Sequence, residues 1–113
     1  MTQKAFFRRE ISRIAQRIAT LYRPKKIILF GSAVKGKITN DSDIDLLIIK
    51  NTSLPRHSRA QKIYRLLRDI NYSIPLEPLV FTPKEVEERV QLGDFFIEEI
   101  LREGKVLYPH ASV

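Results

Sequence analysis

Asp43-Ile44-Asp45 sets two carboxylates two residues apart, directly before the apolar run Leu46-Leu47-Ile48-Ile49. In a strand, residues two apart share a face, so both carboxylates project together. Ile44, Leu46 and Ile48 then fill the opposite face, while Leu47 and Ile49 carry the carboxylate face on into the core. Adjacent carboxylates repel and resist burial unless a cation compensates, and hard oxygen donors select magnesium or manganese. The competing reading makes Asn40-Asp41-Ser42-Asp43 an acidic turn and Asp45 the edge of a strand. A calcium loop is excluded: Asp41, Asp43 and Asp45 alternate suitably, but Leu46 stands where that loop needs glycine and Thr52 where it needs glutamate.

Two further features stand in the order such chemistry requires. Phe30-Gly31-Ser32 ends a short apolar run. Glycine lets backbone approach a ligand closely, and a helical turn through Ala33 to Lys35 would aim free N–H groups at phosphate. Ser32 adds a hydroxyl and Lys35 or Lys37 a positive charge, although Gly-Ser after a strand also describes an ordinary turn. Glu77, in Ile74-Pro75-Leu76-Glu77-Pro78-Leu79-Val80-Phe81, is a lone charge opening an apolar run. Burial would require a partner. On a strand beside Asp43 and Asp45 it would complete three carboxylates able to hold two metal ions, one activating an attacking hydroxyl and the other neutralising a triphosphate. Flanked by two prolines, it could equally be an exposed loop residue.

The elements that must position these residues read as helices alternating with buried strands. Phe7, Ile11, Ile14, Ile18 and Leu21 recur at helical spacing with Arg8, Arg13 and Arg17 between them, and Tyr22-Arg23-Pro24 ends that helix. Residues 27–30, 44–49 and 79–81 read as buried strands. Ile63, Leu66, Leu67 and Ile70 mark a second helix with Arg59, Lys62, Arg65 and Arg68 on its wet side. Thr82-Pro83-Lys84-Glu85 has the signature of a capping box. Gly93-Asp94 separates that helix from one containing Phe95, Phe96, Ile97, Ile100 and Leu101, capped by Gly104, and Val106-Leu107-Tyr108 reads as an edge strand. Layers of this kind indicate an α/β or α+β fold.

At 113 residues the chain is expected to form one domain, residues 1–113. The absence of cysteine excludes a disulfide scaffold and a Cys-based zinc site. No apolar run reaches membrane-spanning length and the N-terminus lacks a secretory pattern, so a cytoplasmic protein is expected. A net charge of +7 favours anionic partners, but acidic residues crowd the C-terminal third. His57 and His110 have no companion at metal-ligand spacing and read as surface residues.

The string Leu29-Phe30-Gly31-Ser32-Ala33-Val34-Lys35-Gly36, followed by Asp41-Ser42-Asp43-Ile44-Asp45-Leu46, resembles the minimal nucleotidyltransferase family of the polymerase-β-like superfamily. Phe81-Thr82-Pro83, Phe96 to Gly104 and Leu107-Tyr108 extend the resemblance along nearly the whole chain. It implies a small mixed sheet flanked by helices, nucleotide binding by Gly31, Ser32 and Lys35, and Mg2+ binding, with two ions, by Asp43, Asp45 and Glu77. It further implies transfer of AMP from ATP to a hydroxyl, with Asp45 or Glu77 accepting the proton. Small members of the family pair with a helical HEPN-type toxin, some by adenylylating a toxin tyrosine, so the resemblance implies an antitoxin. Two departures stand out. Ala33 and Lys35 occupy positions where many relatives carry Arg, exchanging a bidentate fork for a point charge, and Glu77 replaces the usual Asp and precedes Pro78, which lacks a strand donor. Two other functions compete. One is a catalytically weak antitoxin that blocks its toxin sterically; the other is a nucleic-acid binder using Arg8, Arg9, Arg13 and Arg17, which lacks an aromatic single-strand platform. Phe95 and Phe96 read as core or partner-interface residues, and the bare apolar helix faces predict oligomerisation.

Overall fold

The computed structural model describes residues 1–110; residues 111–113 of the expected domain lie outside the described residues. Helices α1 (Gln3–Tyr22), α2 (Arg56–Leu66), α3 (Pro83–Gln91) and α4 (Phe95–Glu103) and strands β1 (Lys26–Phe30), β2 (Ile44–Ile49), β3 (Leu76–Phe81) and β4 (Lys105–Tyr108) follow the order α1-β1-β2-α2-β3-α3-α4-β4. A 3-10 turn, Gly31–Ala33, follows β1. The four strands form one mixed sheet in the order β3-β2-β1-β4. β2 is antiparallel to β1 and parallel to β3, and β4 runs antiparallel to β1. This is the mixed sheet flanked by helices that the sequence predicts.

Strand alternation divides the core into two layers. Ile27, Leu29, Ile44, Leu46 and Ile48 pack with Phe7, Ile14 and Ile18 of α1 and Ile63 of α2. On the other face Ile28, Leu47, Ile49 and Phe81 meet Ile97 and Ile100 of α4. β2 is therefore covered on both sides, which explains why it reads as a continuous apolar run once past Asp45. Local chemistry sets the ends of the elements. Thr2 caps α1 by accepting the Ala5 N–H at 3.0 Å, and Arg23, in a left-handed conformation before Pro24, stops it. Thr82 and Glu85 complete the capping box of α3. Gly104 follows α4 because a Cβ there would run into the Ile100 carbonyl and the Ile28 side chain.

Three sequence expectations need correction. Arg59 is not on the wet side of α2. It is 6% exposed and donates to the carbonyls of Leu54 and Val80 and to both carboxylate oxygens of Glu85. Of the two readings of Phe95 and Phe96, the core one fails and the partner-interface one is untouched: they are 84% and 53% exposed, because Ile97 and Ile100 occupy the buried face of α4. Pro78 sits within β3 without costing a ladder bond. The bonds from Ile44 N–H to the Pro75 carbonyl (2.8 Å) and from Lys50 N–H to the Phe81 carbonyl (3.0 Å) turn the odd-numbered residues of β3 toward β2. Pro78 consequently faces the open edge, where a missing N–H is harmless.

Arg59→Ala is expected to destabilise the fold by about 3 kcal/mol or more, because removing one partner leaves Glu85 and the Val80 carbonyl uncompensated. The Arg59 hydrogen bonds hold the Glu85 carboxyl below the usual glutamate range. That contribution is present above the unfolded value and is lost as pH falls through the folded one. Urea unfolding of wild type and variant across the acid range should show the gap narrowing as pH drops.

Candidate active site

The carboxylates are assembled by two strand registers. Asp45 lies opposite Phe30 on β1 and opposite Glu77 on β3. Because the β2–β3 pairing is parallel and in register, Asp45 and Glu77 share one sheet face with Leu47 and Leu79. Asp43 precedes β2 by one residue. It leaves a closed turn in which the Ser42 hydroxyl accepts the Thr39 N–H at 2.8 Å and the Ser42 N–H bonds the Thr39 carbonyl at 3.1 Å. The turn thus spans residues 39–42 and ends before Asp43, and Asp45 stands in a strand with a neighbour on either side.

Gly31 lies beside this pair. Its φ of 79° is left-handed, and a Cβ added there would be driven into the Asp45 carboxylate. The glycine therefore serves both the turn and the close approach of backbone to carboxylate. The 3-10 turn then carries the chain to Lys35, whose ammonium bridges to Glu99 of α4 at 3.3 Å.

A cleft of about 810 Å³ opens on this face. Gly31, Lys35, Asp45 and Glu77 line it, whereas Ser32 and Asp43 fall outside its lining. The opposite wall is α4, through Phe96, Glu99, Ile100 and Glu103. Phe96 meets Phe30 edge-to-face, with ring centroids 5.7 Å apart. Sequence reasoning missed this wall, although Phe96, Glu99, Ile100 and Glu103 have the three- and four-residue spacing of a single helix face.

Burial first, then the charges of Asp43 and Glu77, raise the Asp45 carboxyl above the usual aspartate range. Glu77 itself is exposed, so it needs no partner to offset burial. His57 and His110 lie on the surface as expected. Of the proposed basic face, Arg13 is engaged by Glu10 at 2.7 Å and Arg17 by Asp69 at 2.6 Å.

Comparison with known proteins gives this arrangement a family. The nucleotidyltransferase domain matches residues 11–112. The chain belongs to the nucleotidyltransferase domain family. Among its relatives, "Putative protein adenylyltransferase MJ0604" of Methanocaldococcus jannaschii is 33% identical over 86 residues, covering 76% of this chain and 80% of the relative. "Putative protein adenylyltransferase MJ0141" of the same organism is 31% identical over 68 residues, covering 57% of this chain and 68% of the relative. A crystal structure described as "a putative nucleotidyltransferase from Sulfolobus solfataricus" superposes with a TM-score of 0.61 at 17% identity, covering 96% of this chain and 89% of that one, and so shares the fold. The chain is thus a nucleotidyltransferase, and its family generally uses a nucleoside triphosphate and a divalent metal.

The donor chemistry of this nucleotidyltransferase suits a hard divalent cation. Asp45 and Glu77 share the cleft within electrostatic reach of Asp43, and the load this places on Asp45 is what a cation would relieve. Among the described residues, however, no three acidic or histidine side chains already close around one point. Binding would draw the carboxylates together.

Asp45→Asn should raise the thermal midpoint at neutral pH. A carboxyl whose folded value is raised favours the fold below its unfolded value, near pH ~4, and that benefit is lost as pH rises through the folded value. The variant's advantage at pH 7 should therefore vanish in acid. Differential scanning calorimetry at both pH values checks this.

Proposed function

We propose that this single domain is a Mg2+-dependent enzyme that transfers AMP from ATP to a hydroxyl, a tyrosine of a HEPN-type toxin partner, and so acts as a cytoplasmic antitoxin. The observation that supports this most strongly is the register pair Asp45–Glu77 lying beside Gly31 in one cleft. Relatives named as protein adenylyltransferases point to AMP as the transferred group and a protein as the acceptor. In this reading Asp43, Asp45 and Glu77 hold two metal ions, while Gly31, Ser32 and Lys35 hold the phosphates. The bound ions would supply charge neutralisation and a lowered pKa at the attacking hydroxyl.

The residues of the chain account for the rest of the reaction. The acceptor oxygen bonds to the α-phosphorus as the bond to the bridging oxygen breaks and pyrophosphate leaves. The acceptor proton passes to Asp45 or Glu77. Lys35 must leave Glu99 to reach phosphate, and that contact between exposed side chains costs little to break. With Arg13 and Arg17 already paired, the nucleic-acid reading loses two of its four cations.

A second reading, steric antitoxin action, is favoured by one observation. Leu92, Phe95 and Phe96 are 81%, 84% and 53% exposed at the α3–α4 corner beside the cleft. Such a patch suits a protein interface, with a partner or in an oligomer.

One experiment separates the readings: the partner that co-purifies is incubated with magnesium and ATP labelled at the α-phosphate. The enzymatic reading predicts label on the partner that disappears with the D43A/D45A protein. An unlabelled partner that stays bound and inhibited would leave the steric role alone.

A further inference from the structure

β3 is an outer strand, and the alternation set by its inner bonds points the carbonyls of Leu76 and Val80 away from the sheet. Open edges of this kind fray, or pair with other chains, unless something covers them. Here α2 supplies the cover with two side chains. Arg59 donates to the Val80 carbonyl at 3.1 Å and the Tyr64 hydroxyl to the Leu76 carbonyl at 2.7 Å. Between those fastenings lie Glu77, Pro78 and Leu79. Pro78 offers no donor, so the stretch carrying the carboxylate has fewer means of self-fixation than an ordinary strand.

The two fastenings serve different ends. The Arg59 bond is buried and tied to the capping box of α3 through Glu85, so it belongs to the stability of the fold. The Tyr64 bond stands at the first residue of β3, immediately before Glu77. At that end the inner side is held to β2 by the bond from Ile44 N–H to the Pro75 carbonyl, and the outer side by Tyr64.

We infer that Tyr64 is a positioning residue for Glu77: its hydroxyl clamps the Leu76 carbonyl so that the next side chain stands opposite Asp45. The inference rests on the reading of Glu77 as a metal-holding carboxylate. The proximity has an electrostatic trace, since burial first and then the Glu77 charge raise the Tyr64 hydroxyl above the usual tyrosine range. Residues that orient a ligand without touching the metal typically contribute about ten- to a hundredfold to metal affinity. One neutral hydrogen bond to an edge strand belongs at the lower end of that range.

The test is Mn2+ affinity of the intact chain with ATP present, read from the paramagnetic resonance signal of free Mn2+. Wild type is compared with Y64F, E77Q and Y72F. Tyr72 is a nearby tyrosine in electrostatic contact with Tyr64 that makes no side-chain hydrogen bond to β3 among the described residues. The expected result is that Y64F weakens Mn2+ binding by about tenfold, E77Q by at least as much, and Y72F not at all. Thermal midpoints of Y64F and Y72F should stay close together, and the Glu77 amide should exchange faster in Y64F. Wild-type Mn2+ affinity in Y64F alongside loss in E77Q would overturn the clamp, as would equal losses in Y64F and Y72F. Wild-type affinity in E77Q would instead overturn the reading of Glu77 on which the inference rests.

Discussion

The parallel pairing of β2 with β3, with Asp45 opposite Glu77, is the constraint on which the rest of the site depends. A slip of one residue would send Glu77 to the helix-covered face and bring Leu76 or Pro78 to the cleft. Each side of β3 resists that slip by a different means. The inner side is bonded to β2 from Pro75 to Phe81, and the outer carbonyls are taken by Tyr64 and Arg59. The apolar alternation of Leu76 and Val80 against Leu79 and Phe81 adds a further penalty, because a slip would exchange the core layers these side chains enter.

The same geometry that makes the site useful makes it electrostatically costly. Asp45 is partly buried, close to two other carboxylates, and pressed by the Gly31 backbone, with no cation within ion-pair distance among the described residues. Fold stability alone would favour a neutral residue here. A charged one is better suited to binding a cation. The facing wall, α4, has an exposed aromatic and two glutamates, so the cleft combines an apolar shelf with an acidic rim. That is a poor home for a bare triphosphate and a better one for a triphosphate neutralised by metal.

Much of the fold was legible because the signals were local. The helical repeat of Phe7 to Ile18, the uninterrupted run after Asp45, and the Thr82–Glu85 cap each concern neighbours in sequence, and all of them stand in the structure. Long-range facts were less visible. The burial of Arg59 follows from an outward carbonyl on a strand 21 residues away, and a charged side chain on a helix gives no local sign of such a bond. The role of Pro78 depended on which strand lies at the sheet edge, and that is a matter of topology. Of the candidate site, Asp45, Glu77, Gly31 and Lys35 could be read from motif spacing. The α4 wall could not, since helical periodicity shows that Phe96, Glu99 and Glu103 share a face without showing what that face looks upon.

The proposed function requires that Asp43, Asp45 and Glu77 together face the phosphates of a nucleotide bound at Gly31–Lys35. Crystals grown with Mn2+ and an ATP analogue carrying a methylene bridge between the α- and β-phosphorus atoms test it most directly, with anomalous scattering to place the metal. The account predicts manganese peaks bridging those carboxylates and the phosphates, with Lys35 released from Glu99. Manganese held by phosphates alone, with Glu77 still pointing to solvent, would contradict it.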